Sequence, residues 1–171
     1  MNNSTLDLIK NILDKKMKMP PGRVWADNGT QDLPQDRDLF IILSFMDTTP
    51  YSNTKHYKET QNGLQEVLTI NAAEDIMISL MSASTQARDR RFDVSRALNS
   101  DYSQYIQEKY GFHISTIHTV RDSSFLESTA RLFRYDVTIR VLRTYEEVDD
   151  IDYYDKFPNT SKFEPEWLTE E

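Results

Sequence analysis

Hydrophobic and polar positions alternate most regularly over 131–143, near the end of the chain. Strict alternation of this kind is typical of a strand with one buried and one solvated face. The apolar positions of the alternation are Phe133, Tyr135, Val137, Ile139 and Val141. A second apolar segment, 39–46, is nearly continuous and predicts a strand that is covered on both faces.

The segment that follows the 39–46 strand is predicted to form a loop and then a hairpin. Residues 52–62 are rich in Ser, Asn, Thr and Lys, which predicts a long polar loop, and Asn62-Gly63 is a favourable turn dipeptide. Two further apolar stretches, 64–70 and 75–83, are separated by Asn71-Ala72-Ala73-Glu74. We expect these two stretches to be the strands of a hairpin.

The beginning of the chain predicts an amphipathic helix. Apolar residues recur there at steps of three and four, and Ser4 is a candidate N-cap with Asp7 three residues later. The apolar residues are Leu6, Ile9, Ile12, Leu13 and Met17. Pro20-Pro21-Gly22 ends the pattern, and the composition of 22–37 predicts an extended linker.

The middle of the chain predicts a helical region over 85–110 that is broken near Asn99-Ser100. Ser100 is expected to cap the second helix, and Gly111 is expected to end it. Residues 112–120 return to strand composition. The order is therefore helix, three strands, helices and two strands, which predicts an α+β fold with a mostly antiparallel β-sheet packed against helices.

Charge divides the chain unevenly. The formal net charge is −8 at pH 7, and the last 26 residues hold ten acidic residues against two lysines, so they carry the entire excess. The prediction is therefore an N-terminal amphipathic helix at 1–21, an α+β domain at 22–145 and an extended acidic C-terminal arm at 146–171. A neutral body with an acidic arm is a poor match for a protein that grips nucleic acid.

The arm also carries aromatic residues, which a purely solvating acidic segment would contain rarely. They are Tyr153, Tyr154, Phe157, Phe163 and Trp167. An extended acidic and aromatic arm suits a groove on a partner. Folding back onto its own domain is an equally weighted alternative.

Composition excludes several kinds of chemistry. The chain has no cysteine and only four glycines, so disulfides, thiolate zinc sites and glycine-rich phosphate loops are not expected. Its longest apolar runs fall short of the ~18 residues of a membrane helix. The N-terminus lacks the apolar core of a signal peptide. We expect a setting in the cytosol, or in an assembly built there.

Candidate chemical residues are few, and we predict no catalytic, cofactor-binding or metal-binding site. His113 and His118 are expected on opposite faces of a strand, where they cannot share a metal ion. The acidic cluster over 149–155 lacks the spacing of a calcium loop. A third cluster is basic and interleaved with Asp89 and Asp93, which favours local ion pairs over a nucleic-acid surface. Its arginines are Arg88, Arg90, Arg91 and Arg96.

Several local strings resemble a known family, the neck and tail terminator proteins of tailed bacteriophages. The strings are Val24-Trp25-Ala26-Asp27-Asn28-Gly29, the apolar strand 39–45, Thr48-Thr49-Pro50-Tyr51 and the alternating strand 133–141. The resemblance covers roughly residues 24–144. The polar loop at 52–62 and the acidic arm go beyond the shared pattern.

The resemblance implies a structural virion protein with no enzymatic activity and no cofactor. Such a protein forms a ring, expected to be a hexamer, that caps the tail tube, stops its polymerisation and joins the tail to the head connector. The implied partners are further copies of the chain, the tail tube protein, the connector or neck protein and the tail sheath. DNA would pass through the lumen without specific binding, and no membrane is involved. The implied location is the virion, assembled in the host cytoplasm.

Two other interpretations stay open. The first is a different structural component, such as a neck, head-completion, sheath-associated or baseplate-associated protein. The second is a small metal-dependent nuclease or hydrolase that uses the acids of 146–155, which predicts binding of magnesium or manganese.

Overall fold

The computed structural model describes residues 4–26, 36–60, 63–118, 120–127 and 130–151. Its helices are α1 (Thr5–Met17), α2 (Gln86–Asp89), α3 (Asp93–Leu98) and α4 (Asp101–Tyr110). Its strands are β1 (Val24–Ala26), β2 (Phe40–Thr60), β3 (Gly63–Ser82), β4 (Phe112–Ile117), β5 (Arg121–Asp122), β6 (Phe125–Glu127) and β7 (Ala130–Ile151).

The sheet is mostly antiparallel and has the order β1-β2-β3-β7-β4. Only β1 pairs in parallel, with β2, among the strand pairs of the described residues. The short strands β5 and β6 pair with the first part of β7. Together with the N-terminal helix, this sheet confirms the predicted α+β class.

The first helix forms on the predicted apolar stripe, but its ends differ from the expectation. Leu6, Ile9, Ile12, Leu13 and Met17 are all buried. Ser4 occupies the N-cap position, yet its side chain makes no capping hydrogen bond, so the predicted capping box is not formed. The helix ends at Lys18, which adopts a left-handed conformation at φ 51°, before the prolines are reached.

The helical region in the middle of the chain breaks where the sequence predicts and once more before it. Ser100 caps α4 by accepting a hydrogen bond from the amide of Ser103, as predicted. Gly111 ends α4 at φ 64°, also as predicted. The additional break, at 90–92, separates α2 from α3.

One face of the sheet supports the hydrophobic core. Fully buried residues alternate along β3 and β7 and pack with the apolar stripe of α1. On the sheet these residues are Ile41, Leu43, Ile76, Ile78, Leu80, Val137, Ile139 and Val141. Burial of each Ile, Leu or Val side chain contributes about 1.5–3 kcal/mol, so this face and α1 account for most of the hydrophobic stabilisation.

The predicted loop at 52–62 is wrong, because β2 continues through it to Thr60. Each residue from Asn53 to Thr60 is paired with a residue of β3, which satisfies backbone groups on that side without any apolar pattern. The strand passes Pro50 at a register shift between Pro50 and Ser52, a position in an outer strand where proline is tolerated. Polar composition therefore marks exposure here and not a loop.

The predicted hairpin of 64–70 and 75–83 is also wrong, because both stretches belong to the single strand β3. The four residues between them do not turn. Ala72 pairs with Pro50 on one side and with Arg143 on the other, so pairing with two strands holds this segment extended. The hairpin is instead formed by β2 and β3, where Thr60 pairs with Gly63.

Two predicted boundaries need correction. Val24–Ala26, within the predicted linker, forms β1 because it pairs with the apolar segment 41–43; residues 27–35 lie outside the described chain. The acidic arm does not begin where the charge changes, because β7 continues past Glu146 to Ile151 and pairs there with β3. The rest of the predicted arm, with its aromatic residues, lies outside the described residues.

Candidate interaction surface

The three longest strands extend beyond the helices and form a projecting sheet, which we call the blade. It consists of residues 52–60 of β2, 63–73 of β3 and 144–151 of β7. At 3.3–3.4 Å per residue the β3 segment is about 35–40 Å long. The blade residues do not belong to the hydrophobic core cluster, and their stability therefore depends on strand pairing and on any surface that covers them.

Both outer strands of the blade have edges that pair with no other strand in the described part of the chain. On β2 the partner β1 reaches only residues 41–43. On β7 the pairing with β4 ends at Arg143, so residues 144–151 are not paired with β4. We call 52–59 the β2 edge and 144–151 the β7 edge. Each edge presents backbone N–H and C=O groups that can accept another strand.

The two edges carry opposite charge. The β7 edge holds four acidic residues, all of them exposed: Glu146, Glu147, Asp149 and Asp150. The β2 edge holds Lys55 and Lys58 against one acid, Glu59, and all three are exposed. Formal charge is therefore −4 on one edge and +1 on the other, so the blade is electrically asymmetric across its width.

Contacts within the blade leave these charges on the surface. The Nζ of Lys55 lies 2.7 Å from a carboxylate oxygen of Glu66 on β3, and this hydrogen bond raises the pKa of Lys55. The side-chain amide of Gln65 donates to Asp150 at 2.8 Å. Lys55 keeps about half of its side-chain surface exposed, at 48%, so a second partner can still approach it.

The blade also presents apolar side chains outside the core. Leu64, Leu68 and Ile70 lie on the face of β3 that continues the core face, and they are partly exposed. On the same face, Tyr57 of β2 is 57% exposed. On the opposite face, Val148 of β7 is 52% exposed. Both faces therefore offer apolar area to a neighbour.

A buried polar cluster lies beneath the first turn of α1, where the blade meets the rest of the domain. The hydroxyl of Tyr145 donates a hydrogen bond to Glu74, which is 4% exposed. Burial and this hydrogen bond raise the pKa of Tyr145. The second carboxylate oxygen of Glu74 has no hydrogen-bond partner among the described residues. Beside it, Arg143 donates to the hydroxyl of Thr5 at 2.9 Å.

The solvated face of the sheet carries two charged pairs, one between β7 and β3 and one within β7. Arg140 forms two hydrogen bonds with Asp75, of 2.8 and 2.7 Å, which lower the pKa of Asp75. Burial opposes ionisation of Asp136, but hydrogen bonds from Ser79 and Arg134 outweigh it and lower the pKa. The Arg140–Asp75 and Ser79–Asp136 contacts join β7 to β3 next to the blade.

The basic cluster on α2 and α3 is largely occupied by contacts within the chain. Arg90 and Arg96 both pair with Asp93, at 3.1 and 3.4 Å, which confirms the predicted local pairing. The guanidinium of Arg91 stacks on the ring of Phe92, 4.5 Å from its centroid. Arg88 contacts Asp89 at 3.4 Å. These contacts favour a structural role for the cluster.

The expectation that His113 and His118 lie on opposite faces is wrong. His113 pairs with Leu142, and the amide of His118 donates to the carbonyl of Thr138, four residues earlier on β7. A register shift between Ile114 and Thr116 inserts one residue and reverses the alternation, as a β-bulge does. Both histidines therefore fall on the same face of the sheet, but several residues apart along it.

No group of three or more His, Asp or Glu residues in the described ranges is arranged to hold a metal ion. Of the acidic run at 149–155, Asp149 and Asp150 are consecutive residues of β7 and point to opposite faces. Asp152 and Asp155 lie outside the described chain. Among the described helices, none is both long enough and apolar enough to cross a bilayer.

Comparisons with known proteins add no family assignment. No protein-family model matches the chain, and no curated protein shows significant sequence similarity to it. The blade, with its two oppositely charged edges, is therefore the feature on which a functional argument has to rest. The blade is not predictable from the pattern of the polar segment 52–60, which is not strand-like; the sequence signal that points to it is the charge contrast between this segment and 146–150.

Proposed function

We propose that this chain is a structural protein of a tailed-bacteriophage virion, a tail terminator. Copies of it form a closed ring, expected to be a hexamer, that caps the tail tube and stops its polymerisation. The ring also joins the tail to the connector of the head. The observation that supports this role most is the blade, a long sheet outside the core with two open and oppositely charged edges.

An open sheet of this length needs a partner. Exposed strand edges template pairing with other chains, and proteins that keep long edges normally protect them. Association between different surfaces of identical subunits closes into a ring when the rotation between subunits closes. A ring would give every edge a neighbour and leave none for uncontrolled polymerisation, which is what a capping protein requires.

The shape of the protomer also suits a length stop. The helices and the core lie at one end of the long strands, and the bare blade lies at the other. Subunits related by rotation about one axis all point the same way, so a ring of them has two different faces. One face can bind the last ring of the tube while the other binds the connector, and the tube cannot add to a face it does not match.

The charge suits a passage for DNA. The acidic residues of the β7 edge repel phosphate, and several arginines of the domain, such as Arg90, Arg96 and Arg140, are held in ion pairs with aspartates. Weak binding of this kind lets a duplex slide through a lumen. The proposed role needs no catalytic group and no cofactor.

Deletion of the gene in the virus that carries it tests this proposal. We expect tails of irregular and excessive length, few of them joined to heads, in electron micrographs of the lysate. A plasmid that supplies the wild-type chain is expected to restore uniform tails. The control is deletion of an unrelated non-structural gene.

Other outcomes separate the alternatives. Tails of normal length that remain unattached to heads would indicate a neck or head-completion protein instead of a terminator. Virions with joined tails of uniform length would contradict both. Retention of the purified chain on duplex DNA that weakens with salt would favour a nucleic-acid-binding protein, and metal-dependent cleavage of DNA would favour the nuclease.

A further inference from the structure

We infer that the blade makes the contact between subunits: the β7 edge of one copy pairs with the β2 edge of a second copy of this chain. The two blades then form one continuous intermolecular sheet. This inference rests on the proposed ring, for which it names the two contact surfaces. It assigns no contact to the tube or the connector.

The backbone of both edges is suited to strand pairing. Neither 52–59 nor 144–151 contains proline or glycine. Every residue of both edges therefore has an amide hydrogen and a side chain, so no residue interrupts a ladder of hydrogen bonds. Both edges are straight continuations of strands that are already held in register by β3. A second copy therefore meets an ordered template and pays little conformational entropy on docking.

Charge determines which edges can meet. Two β7 edges would place four acidic residues against four, and two β2 edges would bring Lys55 and Lys58 against their own copies. Like charges across an interface cost free energy, whereas opposite charges steer association. Only the β7–β2 combination is favourable, and this combination is heterologous. It therefore gives a ring when the rotation between subunits closes, and not a symmetric dimer.

The register of the sheet places these charges at matching heights. Lys55, Leu68 and Glu147 form one row across the three strands. In antiparallel pairs, residues directly opposite each other point to the same face, so Lys55 and Glu147 share a face. When two blades stand side by side at equal height, Glu147 of one lies next to Lys55 of the other.

A second row repeats the arrangement on the other face of the blade. It consists of Lys58, Gln65 and Asp150. Lys55 and Lys58 are three positions apart, and so are Glu147 and Asp150, so one alignment of two blades satisfies both pairs. Because a single alignment of two blades forms both charge pairs, this observation supports pairing of the β7 edge with the β2 edge of a second copy.

Rotational symmetry fixes the direction of pairing. Within one chain β2 and β7 both run from the body towards the tip, because each is antiparallel to β3. A rotation about an axis along the blades keeps that direction. The strands at the subunit contact are therefore parallel, with the bodies at the same end of the ring.

Engineered disulfides test the contact, because the chain has no natural cysteine. We choose His56→Cys on the β2 edge and Val148→Cys on the β7 edge, which lie in one row with Val67 between them. Within one chain the two positions are two strand spacings apart, about 9–10 Å. A disulfide spans at most about 7 Å between Cα atoms, so every disulfide of this variant joins two chains.

Oxidation of the double variant is expected to give a ladder of covalent multimers on a denaturing gel, ending at the closed ring. Each single variant can give only a dimer. The matched control combines Val148→Cys with Gln104→Cys, an exposed position on α4, and is expected to give no ladder. Thr54→Cys and Lys58→Cys, each combined with Val148→Cys, test a shift by two residues. No ladder from any of the three edge pairs, or an equal ladder from the control, would overturn the inference.

Charge reversal provides an independent measurement. Lys58→Glu and Asp150→Lys are each expected to weaken self-association about tenfold or more, because each brings like charges together. The double variant restores opposite charges and is expected to recover association with itself, but not with the wild type. Lys109→Glu on α4 serves as the charge-matched control. Equal association of all variants would overturn the inference.

The outcomes for the contact and for the function can be told apart. A deletion virus with irregular tails, together with edge variants that neither cross-link nor lose association, would leave the terminator proposal intact and refute the blade contact. Cross-linked rings together with normal tails in the deletion virus would support the contact and refute the terminator.

Discussion

Lys55 and Glu147 lie in the same row of the sheet and on the same face, with Leu68 between them. Two strand spacings, about 10 Å, separate their backbones, so Lys55 pairs instead with Glu66, which is on the adjacent strand and 2.7 Å away. Glu147 is thus exposed on the outer edge. Across its width each blade has a basic side and an acidic side.

The first prediction concerns ionic strength. Because the edges carry opposite charges on exposed side chains, salt is expected to screen their attraction; the Debye length falls from about 10 Å at 0.1 M to about 3 Å at 1 M. Self-association measured by light scattering should weaken between these concentrations. Stronger association at high salt would instead show that the apolar faces of the blade dominate.

The second prediction compares two isoleucines of β3. Ile76 is fully buried in the core, whereas Ile70 is partly exposed on the blade. Ile76→Ala is expected to lower the free energy of unfolding by about 2–5 kcal/mol, as measured by urea denaturation. Ile70→Ala should lower the free energy of unfolding clearly less in dilute protein, where no second copy covers the blade. Equal losses would mean that the blade belongs to the cooperative core.

The third prediction concerns the buried polar cluster. Tyr145→Phe removes the hydroxyl that donates to Glu74 and leaves that buried carboxyl group without this hydrogen bond. The substitution is expected to lower the free energy of unfolding by about 1–3 kcal/mol. In a Glu74→Met background the same change should have a much smaller effect, since the two residues interact directly. Additive effects of the two substitutions in urea denaturation would contradict this coupling.

The fourth prediction concerns acid stability. The folded state lowers the pKa of Asp136 below its usual 3.8. Ionised Asp136 therefore stabilises the fold at pH values above 3.8, and this contribution is lost as the pH falls through the folded-state pKa. The free energy of unfolding should therefore decrease from about pH 5 downwards. Asp136→Asn should give a shallower decrease. Identical slopes for the variant and the wild type would show that Asp136 is not responsible.

The parts of the fold that the sequence predicts are those in which one side of an element meets the core. The alternation at 133–141 is visible because Val137 and Ile139 lie in the buried core while Thr138 and Arg140 face solvent. Ser100 and Gly111 were also predictable, because they act on their own helix through local geometry.

The blade was not predictable in this way, since its residues lie outside the hydrophobic core cluster. Residues 52–59 need no apolar period, and Thr48-Thr49-Pro50-Tyr51 and Asn71-Ala72-Ala73-Glu74 have the composition of turns. They are extended because each pairs with a strand that is distant in sequence, such as Ala72 with Arg143. Local propensity carries no information on such long-range partners.

The candidate surface depends on the same long-range pairing. The negative charge of the segment after Glu146 was evident from the sequence, but its position opposite Lys55 and Lys58 required the register of β3. For the same reason the bulge in β4, which places His113 and His118 on one face, could not be inferred from their spacing.

We propose that copies of this chain close into a ring of fixed size, and the mass of the assembly is the decisive measurement. Mass photometry and light scattering should be performed on the purified chain, alone and with tail tubes isolated from the deletion virus. We expect one discrete species, of about 121 kDa if six copies of the 20.1 kDa chain form it. A 20.1 kDa monomer under both conditions, or a continuous series of growing masses, would contradict it.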